Sequence, residues 1–190
     1  MAAKTFRFDP NMVAKYEVEG WKAYYDRNWL RLLGLIVSLD QAQFRIPFPQ
    51  SILAAYYIVR ASVAFVPKDH NPAVVRGYLE QFYRLARRYS GLSFDARHAA
   101  LLEEDYWEIH RKLVGQPDKT DFTHTMTMLH AVVFGLSQDQ ARESGQLRVE
   151  ANNVLDTITG RTSTDPAADW LRCEDLLRQC YTSIEKAAAE

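Results

Sequence analysis

Two cysteines, eight glycines and seven prolines are all that the 190-residue chain offers of the residues that staple, loosen or break a fold. Cys173 and Cys180 stand seven apart in a helical segment, which separates their Cα atoms by about 10 Å, beyond the ~7 Å reach of a disulfide. They read as two buried thiols on one apolar face, suited to a reducing cytoplasm. No low-complexity tract is present, so disorder is expected only at the ends. Excess charge of either sign is also missing: 23 Lys plus Arg face 24 Asp plus Glu, a net charge of −1. No long-range field therefore draws nucleic acid or an anionic membrane. The longest apolar runs, Trp29 to Leu39 and Ile52 to Val66, are interrupted by Arg31 and Arg60 and are shorter than the ~20 residues of a membrane span, so they are read as core helices. The opening MAAKTFRFDP has no apolar stretch of a signal peptide, and the expected location is the cytoplasm. GxGxxG, P-loop, GxSxG and HExxH patterns are all lacking.

What is present is helix punctuation. Asp9-Pro10, Asn71-Pro72 and Asp165-Pro166 each pair a capping side chain with proline at the first helical position. Together with Gly91 and Gly160 as stops, Ser137 as a cap and the breaking segment Ile46-Pro47-Phe48-Pro49, they predict helices over 10 to about 43, 50–65, 72–90, 95–115, 120–136, 138–159 and 166–188. The first is predicted to bury Tyr16, Ala23, Leu30, Leu32, Leu33 and Ile36 and to bend at Gly20 or Gly34; the second, rich in alanine and branched aliphatics, is predicted to be buried nearly all round. No period-2 segment of useful length occurs. The expected fold is all-α, a single-domain bundle of about seven helices over 10–188 behind a tail at 1–9.

The segment LLEEDYWEIHRKL, residues 101–113, carries two stripes. Leu102, Tyr106, Ile109 and Leu113 follow the 4, 3, 4 spacing of a buried face, while Glu103, Trp107 and His110 stack a carboxylate, an indole and an imidazole in one column. Residues 17–24, EVEGWKAY, repeat the order: Glu17, an acid two on, Trp21 four on, and the aromatic Tyr24 seven on, with Tyr25 beside it. This similarity suggests two three-helix repeats, 10–90 and 95–160, closed by the helix at 165–188.

If the repeats are related by a pseudo-dyad, their columns face one another. Glu17, Trp21, Tyr24, Glu103, Trp107 and His110 then line one polar pocket, with Arg60 and Arg111 as counter-ions, because a buried carboxylate must be paired, protonated or bound. The leading expectation is a protein that binds a small ligand or a partner through that pocket. An alternative is a metal-dependent enzyme: in the hairpin of residues 95–136, His110 and His124 fall at one height, so Glu103, His110 and His124 form the candidate metal set, although the sequence requires no cofactor. The first-turn pairs Asp95/His98 and Asp121/His124 are explained by capping and lie at opposite ends of antiparallel helices. A further alternative is a structural homodimer joined through the apolar helix at 50–65 or the last helix.

Overall fold

The three cap-plus-proline starts form as the sequence reads: Asp9, Asn71 and Asp165 each accept a hydrogen bond from a backbone N–H of the first helical turn, those of Asn11, Ala73 and Ala168. The computed structural model describes residues 6–189, and among these there are eight helices and no strand. They are α1 (Pro10–Tyr25), α2 (Trp29–Phe44), α3 (Gln50–Phe65), α4 (Pro72–Ser90), α5 (Ala96–Leu113), α6 (Thr120–Phe134), α7 (Gln138–Thr159) and α8 (Pro166–Ala187). Ser137 and Gln140 cap α7 reciprocally, and Gly91 and Gly135 end α4 and α6 in the left-handed conformation that glycine adopts without cost. The fold is an all-α bundle.

The helix expected over 10–43 is two helices. Arg27 takes a left-handed conformation at φ 57°, and the Asn28 side chain accepts from the Arg31 N–H, so a local cap competes successfully with continued helix. Gly20 and Gly34, where bends were expected, both sit inside unbroken helices. The first five residues of the 1–9 tail lie outside the described residues, and the rest of it is not a loose tail: Phe6 and Phe8 are buried against Phe134, and Phe8 meets Tyr181 edge-on.

Successive helices pack in chain order, and α1 closes onto α8. One cluster of buried apolar side chains draws on all eight. Where α6 and α7 approach, a Cβ at Gly145 would come within 2.9 Å of the Thr127 backbone nitrogen, so only glycine permits the contact. Cys173 and Cys180 are fully buried in the α7–α8 seam, and burial pushes both thiols up to about 12, which makes them unreactive.

Helix α2 departs most from expectation. Although its sequence is among the most apolar in the chain, only Asp40 and Phe44 are buried; Leu30 is 87% exposed and Leu33 is exposed as well. Nor is α3 buried all round, since Ile52, Leu53 and Tyr56 are exposed. Both helices turn their other sides to an interior space instead of to close-packed neighbours. Among the described residues no helix is long and apolar enough to cross a membrane.

Candidate functional site

That interior space is a cavity of about 780 Å³ between the helices, within the range of small-molecule sites. Its walls are aliphatic and aromatic: Leu32, Ile36 and Leu39 from α2, Ile58 and Val59 from α3, Met126 and Leu129 from α6. Tyr24 and Trp29 line it from exposed positions, packed edge to face at 5.9 Å.

Two polar groups interrupt the apolar lining. In the first, Glu17 of α1 accepts from Arg148 Nη1 of α7 at 2.5 Å through Oε1 and from the Tyr181 hydroxyl of α8 at 2.5 Å through Oε2. Arg148 also donates to the Tyr181 oxygen at 3.2 Å and lies 5.2 Å over the Trp21 ring. In the second, Glu103 of α5 accepts from the Tyr83 hydroxyl at 3.0 Å and from the Trp107 indole N–H, one turn on, at 2.9 Å. Burial raises the Glu103 carboxyl above its ordinary range, the Tyr83 bond and the Arg148 charge oppose the shift, and the Glu17 charge adds to it. The two carboxylates therefore share one electrostatic environment. Glu103 keeps some accessible surface although protein encloses it, because that surface opens into the cavity. Burial also keeps the Tyr83 and Tyr181 phenols protonated, so both remain donors.

His130 of α6 lines the same space. The Ser144 hydroxyl donates to the Ala141 carbonyl, so the 2.8 Å contact between Ser144 Oγ and His130 Nδ1 is made by an Nδ1–H donor. The other ring nitrogen, Nε2, is then an unprotonated acceptor. Burial, with Arg148 adding to it, holds this imidazole neutral down to about 3.

Asp40 of α2 completes the set. It is 3% exposed, its Oδ2 has no hydrogen-bond partner, and burial holds its carboxyl well above the usual range. A raised folded-state value means that the native state keeps the proton while the unfolded chain releases it, so stability falls as pH rises above about 4. Asp40→Leu is expected to gain about 1–3 kcal/mol at pH 7 and progressively less toward pH 4. Urea denaturation at the two pH values measures the difference, and an equal gain at both would mean that Asp40 carries no such shift.

Of the residues expected to form the pocket, Glu17, Trp21, Tyr24, Glu103 and Trp107 line this one cavity. Arg60, His110 and Arg111 do not. Arg60 lies over the rings of Tyr56 and Tyr78 on the outside of α3 and α4. His110 Nε2 contacts Asp156 Oδ1 at 3.0 Å, with the ring stacked on Phe122. Arg111 donates to the Phe65 carbonyl and covers its ring, touching the cavity wall only through the Phe65–Trp107 contact. No family model matches the chain, and neither does any curated protein or solved structure. The metal set Glu103, His110 and His124 does not converge: both Glu103 oxygens accept inside the cavity, His110 is held by Asp156, and His124 lines a separate cleft.

Arg148, Tyr83, Tyr181 and Asp40 were not singled out from sequence. One signal was available for Arg148: Ala141, Ser144, Gly145, Asn152 and Leu155 mark the buried stripe of α7, and position 148 continues it at i+3 and i+4. An arginine on a stripe of small and apolar residues requires an internal anion.

Proposed function

We propose that the protein binds an elongated apolar molecule carrying a hydrogen-bond-donating head, such as a primary amine or an alcohol. The observation that carries this reading is the chemistry of the cavity: its apolar surface surrounds the Glu103 carboxyl and the bare acceptor nitrogen of His130. Glu103 and His130, with its bare Nε2, both line the space, while Nη1 of Arg148 is already committed to Glu17 and the Tyr181 oxygen. An acceptor such as His130 Nε2 that no donor of the chain meets invites a donor from outside. Trp21 and Trp107 supply the aromatic faces that favour a cationic head.

A fluorescence titration tests the reading, with decylamine, decanol and decanoic acid as probes and the tryptophan emission as signal. Saturable one-to-one binding is expected for the amine and the alcohol and at least tenfold weaker binding for the acid, whose carboxylate meets acceptors instead of donors. Glu103→Gln is expected to weaken the amine at least tenfold and to leave the alcohol within about threefold. No saturable response to any of the three would overturn the assignment.

A further inference from the structure

The cleft that holds His124 has a composition of its own. It lies on another side of α5 from the cavity, has a volume of about 650 Å³, and brings His70 from the α3–α4 turn against Glu104 and Glu108, one turn apart on α5. The side chains of His70 and Glu104 are 4% and 2% exposed, and that of Glu108 is 24% exposed on the open side.

The hydrogen bonds fix the tautomer of His70. Its Nδ1 contacts the Pro67 carbonyl at 3.2 Å, and a carbonyl oxygen only accepts, so Nδ1 carries the proton. In the Nδ1–H tautomer the lone pair of Nε2 faces Glu104 Oε1 at 3.3 Å and Glu108 Oε1 at 3.6 Å, three acceptor atoms aimed at one point. An imidazolium donating to these carboxylates would approach to about 2.7–2.9 Å. Two ligand atoms bonded to one tetrahedral zinc ion at ordinary lengths lie about 3.4 Å apart. The two spacings from Nε2, 3.3 Å and 3.6 Å, bracket that value, and all three atoms fall within 4.8 Å of one another.

The surrounding charges leave the three atoms free. Arg76 directs both Nε, at 3.0 Å, and Nη2, at 2.8 Å, onto Glu104 Oε2, while Lys112 sits 3.4 Å from Glu108 Oε2. Arg111 is 4.0 Å from Glu108 Oε1, with its guanidinium held by the Phe65 carbonyl and ring. Asp105 faces Arg76 at 3.9 Å. A histidine whose second nitrogen donates to a backbone carbonyl is oriented as metal-ligating histidines are.

We propose that His70, Glu104 and Glu108 form a divalent transition-metal site, with zinc as its natural fit and the remaining coordination positions turned toward the cleft. This site is independent of the cavity and of what the cavity binds. Isothermal titration of the metal-stripped full chain with zinc chloride is expected to show one equivalent bound. Glu108→Gln, at a partly exposed position that tolerates the change, is expected to weaken that binding at least tenfold, as is His70→Ala. A long-range proton–nitrogen NMR spectrum is expected to show the His70 Nε2 resonance shift on zinc addition while Nδ1 keeps its proton. Absence of saturable uptake, uptake equal in the wild type and Glu108→Gln, or an Nε2 resonance that does not move in excess zinc overturns the assignment.

Discussion

Arg148→Met is expected to destabilise the protein by about 3–5 kcal/mol, the cost of leaving one member of a buried ion pair without the other. Both partners are nearly enclosed, with side chains 11% and 10% exposed for Arg148 and Glu17. Removing the guanidinium strands a carboxylate in an apolar cavity wall, and the single Tyr181 hydroxyl cannot replace it. The double variant Glu17→Met/Arg148→Met removes both charges and is expected to recover most of the loss, since an apolar pair of similar volume suits such a site. Urea denaturation of the three variants at pH 7 measures the coupling between the positions. A loss below about 1 kcal/mol in the single variant would place the pair in the class of solvated surface bridges.

Acid is expected to weaken the fold through His130. Its native-state value is depressed from 6.5 to about 3, so the native imidazole stays neutral while the unfolded chain takes up a proton below pH 6.5. The contribution is fully present above pH 6.5 and is lost as pH falls toward 3. The part of that window between pH 7 and pH 4 corresponds to about 3 kcal/mol. His130→Gln starts less stable because it disturbs the Ser144 contact, but its stability is expected to decline less steeply over that interval by the same amount. Carboxylates elsewhere titrate equally in both proteins, so the difference between the two curves isolates the imidazole. Parallel curves would show that His130 reaches water.

Helix punctuation made most of the fold legible in the sequence. A cap followed by proline is a local signal, set by one hydrogen bond and one fixed dihedral, and all three such pairs start helices. The break after Tyr25 was missed because neither proline nor glycine marks it; an arginine holds the left-handed turn and Asn28 caps α2. The Glu/Trp order in α1 and α5 pointed to two stripes that line the same cavity, yet it misplaced His110. His110 lies seven residues, about 10 Å, farther along α5 than Glu103, where its ring meets Asp156 of α7 and Phe122 of α6 instead. The exposure of α2 was unreadable for another reason. Apolarity predicts that a face will be covered but not by what, and here the inner face of α2 lines an open cavity while Leu30 lies outside.

Binding in the cavity is tested most directly by following the four tryptophan indole N–H signals by NMR while decylamine is added. Trp107 donates its indole proton to Glu103 at the cavity wall, whereas Trp170 packs beside Lys22 and does not line the cavity. The expected result is a saturable shift of the Trp107 signal, with Trp21 responding in parallel and Trp170 unmoved. Indole signals that all stay in place, or that all drift together without saturating, would contradict the account.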